Sequence, residues 1–326
     1  MFTRRTTILA AAIAAATIAA PQVFAQAAWP TAKPITIVVS YPAGGDTDNL
    51  GRVFAEQLSA RLKQNVVVEN RPGASGTIGN TYVANAAPDG YTLLMTPNTI
   101  SIATLVLKAK PAYDVLTAFT PIIEVGNQSL FVAANKQSGL KDMKSLVEGE
   151  KAGTVKSYAS PGAGSPMHIL GALFNAAAGT KIEQIPYRGS APAIVDLLGN
   201  QVPMTYTTIG PVSQHLANGN VSLLAVADKA RSPLAPNVPT LLELGYKDAE
   251  VGAWQAIMAP KGLPESIQKA LNAHMNDIIK MPEVVAKMRV MGVLPSGGAP
   301  EVLAKRNEFD HKRYAVVIKD FGISAE

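Results

Sequence analysis

The chain has 326 residues, 48% hydrophobic and 16% charged, which excludes a disordered or fibrous protein and supplies apolar material for two medium domains. A net charge of +5, with Lys and Arg scattered rather than clustered, is too mild to imply nucleic acid as a partner. There is no cysteine, so no disulfide framework exists and stability must come from the core.

The first 25 residues read as a leader: Arg4 and Arg5, an uncharged Ala-rich run over 8–20, then Val23-Phe24-Ala25 as a small-residue cleavage site before Gln26. The run is too short to span a bilayer, and no later stretch of 18 apolar residues exists. The expectation is an exported, soluble, periplasmic chain cleaved after Ala25, whose net charge falls from +5 by two to +3. The Arg pair also fits a twin-arginine route, although the large apolar residue usually placed after it is absent. No cysteine follows the cleavage site, so a lipid anchor is not expected.

Residues 35–40 form a continuous apolar run of strand length, typical of a strand buried on both faces of a parallel sheet. A loop with Gly44 and Gly45 follows, and from Asp48 the residues Leu50, Val53, Phe54, Leu58 and Leu62 recur at helical spacing. A strand that turns through glycines into a helix leaves the first backbone N–H groups of that helix unpaired, which suits an anion. The unit repeats: strand 66–69, loop 70–76, helix 77–86 with Ile78 and Val83 inward; then strand 91–95, loop 97–99 and an apolar helix to about 107. Two β-like runs, 121–125 and 130–134, mark a crossing into a second domain.

There the unit starts again: strand 155–159, loop 160–165, and a helix from Pro166 with Ile169, Leu170, Leu173 and Phe174 on one face. Strand 182–187 leads to Arg188-Gly189-Ser190 and a helix opened by Pro192; strand 202–206 leads to Thr207-Thr208-Ile209-Gly210. After strand 223–227 and a Pro-rich stretch, 253–258 carries the chain back, and helices 264–279, 282–291 and 300–319 finish it. Alternation at this pace predicts an α/β fold with mostly parallel sheets flanked by helices.

YPAGGDTDNLGR (41–52), ENRPGASGTIG (69–79), PDGYTLL (88–94), YASPGAGSPMH (158–168), IPYRGSAPAIVDLLGNQV (185–202) and NVPTLLELG (237–245) stand in the order and spacing of one family. The chain resembles the Bug, or TctC-like, solute-binding receptors of tripartite tricarboxylate transporters across essentially all of its mature length. The resemblance implies a two-domain, type II, flytrap-like binding protein, with 26–125 and 253–326 as a discontinuous first domain and 126–252 as the second. It further implies a small carboxylate ligand (a di- or tricarboxylate, an amino acid or an aromatic carboxylate), held largely by backbone amides, hydroxyls and water. Integral membrane permease subunits or a sensor protein would be the partners, the chain being a monomer with no cofactor. Tyr41, Ala43 and Gly51 depart from the family pattern, which has Phe, Pro and Ala there; the first two would alter ligand preference and the last would loosen the first turn of its helix.

The candidate ligand-binding residues are Tyr41, Ala43, Gly44, Gly45, Thr47 and Asp48 in the first loop, Ser75, Gly76 and Thr77 in the second, and Asn98 in the third. From the second domain come Ser160, Gly164, Ser165, His168, Arg188, Gly189, Ser190, Ala191, Thr207 and Thr208. Each has a plainer reading. The glycines also serve an ordinary βα turn, and Asp48 reads first as the N-cap of its helix. Asp46 reads as a solvated loop acid or as the partner of a ligand ammonium. Arg188 suits a second carboxylate or a rim salt bridge, and Tyr41 and Tyr187 suit an aromatic ligand or the wall. Ser165 and His168, three apart, raise the rival of an exported serine hydrolase, but no nucleophile elbow surrounds Ser165, and His168 reads better as a packed or capping residue. The four histidines have no metal-ligand spacing.

Overall fold

The computed structural model describes residues 29–324, so the leader read over 1–25 lies outside the described residues. The first half of the fold follows β1 (Ile35–Val39), α1 (Asp46–Leu62), β2 (Val66–Asn70), α2 (Thr77–Ala84), β3 (Thr92–Pro97) and α3 (Thr99–Val106). β1 lies parallel to both β2 and β3. Its apolar run is continuous because both faces are covered. Ile37 and Val39 pack with Leu50, Phe54 and Leu58 of α1, whereas Val38 packs with Leu94, Ile100 and Trp254 on the other face. Full burial of side chains of this size contributes about 1.5–3 kcal/mol each.

Two expectations for these helices are corrected. Ile78 is 54% exposed, while Val83 is fully buried, so only the latter faces inward. Gly51 lies beyond the first turn of α1 and does not loosen it. A Cβ there would stand 3.0 Å from a Val39 methyl, so the glycine lets α1 settle closely on β1.

β4 (Phe119–Gln128) ends the first half, and the chain crosses into β5 (Phe131–Asn135) through Ser129 and Leu130. Then come α4 (Met143–Lys151), β6 (Ser157–Ser160), α5 (Pro166–Ala178), β7 (Glu183–Pro186), α6 (Ser190–Leu198), β8 (Met204–Thr207), α7 (Ser213–Ala217) and β9 (Val221–Val226). The chain returns in β10 (Ala253–Pro260) and closes with α8 (Glu265–Ile278), α9 (Pro282–Val290), β11 (Leu294–Pro295) and α10 (Pro300–Asp320). The six-stranded sheet runs β11-β4-β10-β3-β1-β2 and the five-stranded sheet β7-β6-β8-β5-β9.

The expected α/β architecture with two helix-flanked sheets is present, but "mostly parallel" holds only for the strands that are joined through helices. β10 is antiparallel to β3 and β4, and β5 is antiparallel to β8 and β9. Strands that arrive directly from the other sheet need no crossover helix and so run against their neighbours. Sequence reading passed over α4, whose start is fixed by a reciprocal cap: the Asp142 carboxylate accepts the Ser145 N–H at 2.7 Å, and the Ser145 hydroxyl accepts the Asp142 N–H at 3.1 Å.

α10 touches both halves. Leu303 packs with Trp254 and Met258 behind the six-stranded sheet, while Tyr314 and Ile318 enter the core that β5, β6, β8 and α5 build around Tyr158, Phe174 and Tyr206. Ile102 and Val106 of α3 join that second core as well. Midway along α10, the Asp310 carboxylate accepts the Trp254 indole N–H at 2.7 Å, both residues being buried. Among the described residues no helix is long and apolar enough to cross a membrane.

Candidate functional site

The loops after β1, β3, β6, β7 and β8, together with Gln128 at the end of β4 and Ala253 and Gln255 of β10, converge on one cleft between the sheets. The β1 loop is shaped by Gly44, whose φ of +85° is a left-handed value that side chains resist. α1 begins at Asp46, with Gly45 as its N-cap and no capping side chain. Asp48 is therefore not the cap that the sequence suggested. Its buried carboxylate accepts the Gly44 N–H at 2.9 Å, Asn70 Nδ2 at 2.9 Å and Arg52 Nε at 3.0 Å, which fastens the loop from behind and away from the cleft. Burial alone would raise its pKa, but the bonds from Arg52, Gly44 and Asn70 outweigh that and hold it below the ordinary value.

With Asp48 behind the loop, the first-turn amides of α1 at Asp46 and Thr47 have no intrahelical acceptor and stand at the cleft wall. The facing wall repeats the device. α6 begins at Ser190 with Gly189 as its N-cap, again with no capping side chain, and Gly189, Ser190 and Ala191 line the cleft.

The cleft's side chains hydrogen-bond one another in a directed series. The Thr47 hydroxyl donates to Gln255 Oε1 at 3.2 Å, Gln255 Nε2 to Gln128 Oε1 at 3.1 Å, and Gln128 Nε2 to Asp46 Oδ2 at 3.2 Å. The same Asp46 oxygen accepts the Thr208 hydroxyl at 2.6 Å from the opposite sheet. Asp46 is thus no solvated loop acid: burial pushes its pKa up, against the opposing effect of the Thr208 and Gln128 bonds. Tyr41 lines the cleft with its hydroxyl donating to Ser75 O at 3.3 Å, and burial likewise pushes its phenol up.

Of the expected ligand residues, Tyr41, Gly45, Thr47, Asn98, Gly189, Ser190, Ala191 and Thr208 line this cleft. Gly44 borders an outer groove, and Ser75, Gly76 and Arg188 line an adjoining crevice with Tyr187. Arg188 is exposed there, and the Tyr187 hydroxyl donates to Asp196 at 2.6 Å. Ala43 is exposed and lines neither space.

The others are engaged inside the fold. Thr77 donates to Ala74 O at 2.8 Å, and Thr207 lies buried in β8 opposite Phe131. Ser160 accepts Gln184 Nε2 at 2.6 Å, and Gly164 sits against Ala103 and Val106 of α3. The Ser165 hydroxyl oxygen caps α5 by accepting the His168 N–H at 3.2 Å, while His168 Nδ1 accepts the Gly164 N–H at 3.1 Å. Burial depresses the His168 pKa to about 4. The hydroxyl oxygen and Nδ1 each accept a backbone N–H, so the pair is engaged in capping and turn geometry rather than hydrogen-bonded to each other as nucleophile and base would be.

Sequence reading missed Gln128 and Gln255 and underrated Asp46. The available signal was a polar residue near the end of an otherwise apolar run, but only the antiparallel placing of β10 beside β4 brings the two glutamines together. The halves also meet outside the cleft: the Ser75 hydroxyl donates to Ala163 O at 2.6 Å, and Gly210 lies against the Met291 backbone. Among the described residues no group of His, Cys, Asp and Glu could hold a metal ion.

Comparison with known proteins places this geometry. The model of the tripartite tricarboxylate transporter family receptor matches residues 50–323. The chain is 37% identical over 323 residues to protein BugT of Bordetella pertussis, covering 98% of each chain. An R. palustris protein solved with adipate superposes with a TM-score of 0.86 at 30% identity, covering 91% of this chain and 99% of that one. MatC from Rhodopseudomonas palustris, solved with bound malate, gives 0.83 at 31% identity, covering 89% and 100%.

Proposed function

This chain belongs to the tripartite tricarboxylate transporter receptor family, and from that premise we propose that it is an exported periplasmic receptor that captures a small organic carboxylate between its two sheets. The observation that carries the reading is the pair of opposed, uncapped helix starts, α1 and α6, opening on one cleft. A carboxylate between them draws hydrogen bonds from both halves at once and so favours the closed arrangement through its greater affinity for it. The halves would move about the crossings at Ser129-Leu130 and residues 227–252, as domains that keep the expected division into 26–125 with 253–326 and 126–252 except that β4 stays with the six-stranded sheet through Gln128. The closed form would then dock on integral membrane permease subunits. Binding without turnover is favoured by the separate engagements of Ser165 and His168.

Calorimetric titration of protein that has been unfolded, washed and refolded, against a panel of organic carboxylates, tests the proposal. Stoichiometric binding of at least one carboxylate without its conversion is expected. Tight binding of sugars or uncharged amides, with no carboxylate bound, would overturn it.

A further inference from the structure

We propose that the ligand of this cleft carries a cationic amino group beside its carboxylate, and that Asp46 and Asn98 receive that group. The inference rests on the receptor reading above and narrows its ligand class. It starts from charge. Among the described residues no Lys, Arg or His lines the cleft, and Asp46 is the one carboxylate there; Tyr41, the other titratable group, is a phenol that burial keeps neutral. A ligand that brought only carboxylates would set them against Asp46 with no side-chain cation to offset the repulsion.

The second observation is a missing donor. Asn98 is fully buried, and its Nδ2 donates to Gly252 O at 3.0 Å, which fixes the orientation of the amide. Among the described residues its Oδ1 has no hydrogen-bond partner, although it belongs to a residue that lines the cleft. A buried acceptor without a donor is costly, and such a group in a native protein calls for an occupant.

Four of the polar side chains that line the cleft are committed elsewhere. The Thr47 and Thr208 hydroxyls and the Gln128 and Gln255 amides donate to one another or to Asp46 Oδ2, in a series that ends on that oxygen. What faces the ligand is therefore divided. The helix starts offer donors to an anion, while Asp46 and Asn98 offer acceptors to a donor. An ammonium has three N–H donors and a charge opposite to Asp46, whereas a plain dicarboxylate has neither.

The test is calorimetry on the mature, refolded chain with matched pairs that differ only in the amino group: aspartate against succinate, and glutamate against glutarate. In the wild-type protein the amino member of at least one pair is expected to bind about 30-fold more tightly or better, as for a desolvated charge pair. Asp46→Asn should collapse that preference by weakening the amino member alone. Because the wild-type comparison needs no variant, a misfolded Asp46→Asn protein leaves the test intact. Succinate and glutarate each binding as tightly as its amino partner would overturn this inference and leave the receptor reading standing; uptake of a proton on their binding would then show that a neutral Asp46 donates to a carboxylate. Binding of simple primary amines with no carboxylate bound would support the role of Asp46 and remove the carboxylate reading instead.

Discussion

Gly210→Ala perturbs the contact between the two halves without replacing a residue that lines the cleft. Gly210 lies in a 3-10 turn after β8 and is not among the positive-φ glycines, so alanine meets no backbone strain within its own half. Its added Cβ would stand 2.3 Å from Met291 O and 2.6 Å from Met291 C, at the end of α9, where ordinary contact starts near 3.4 Å. The Met291 side of that contact is main chain, so no side-chain rotation relieves it and a backbone shift of about 1 Å is needed, which parting the halves would supply. Two residues away, the 2.6 Å bond from Thr208 to Asp46 would be stretched beyond hydrogen-bonding range. A hydrogen bond to a charged group contributes about 1.5–3 kcal/mol, so the closed form should lose roughly that amount, and ligand affinity should fall about 10- to 150-fold. Calorimetry measures the affinity, and small-angle scattering the change in shape of the liganded protein. Unchanged affinity with an unchanged scattering profile would refute the link between this contact and binding.

Three further outcomes follow from buried polar groups. Asp310→Ala leaves the Trp254 indole N–H unpaired in the core and should lower unfolding free energy by about 1–3 kcal/mol, read from urea denaturation followed by tryptophan fluorescence. Ser165→Ala removes the cap of α5 and should cost about 1 kcal/mol, with ligand affinity unchanged in the same preparation; an ester-hydrolysing activity abolished by this change would contradict the capping role. His168 carries a pKa depressed from 6.5 to about 4, so between those values the unfolded chain binds a proton that the folded chain refuses. Stability should therefore fall as pH drops through that window, and His168→Gln should flatten that limb of the melting-temperature profile.

The strand-loop-helix units were legible because parallel strands buried on both faces write themselves as unbroken apolar runs, as 35–39 does, and because glycine and proline punctuate the turns. Much of the cleft was legible for the same reason, since loops that follow parallel strands gather at one end of a sheet. What escaped depended on pairings that no local pattern records. Gln128 and Gln255 meet only because β10 returns antiparallel beside β4. Asp46 reads as a surface acid until Thr208, far along the chain, is placed over it. Asp48 was misread because the apolar spacing starts at Leu50, whereas the helix itself starts at Asp46, one turn earlier. The crevice that takes Ser75 and Arg188 away from the cleft is set by how Tyr41, Pro42 and Pro161 wall the two spaces apart, which spacing does not encode.

α10 fastens its N-terminal half behind one sheet and sinks Tyr314 and Ile318 into the core of the other. The two halves should thus share a melting unit. Neither core is complete without this last helix, so heating should give one calorimetric transition rather than two, and a chain ended before Asp310 should lose the order of the five-stranded sheet although every strand of that sheet is retained.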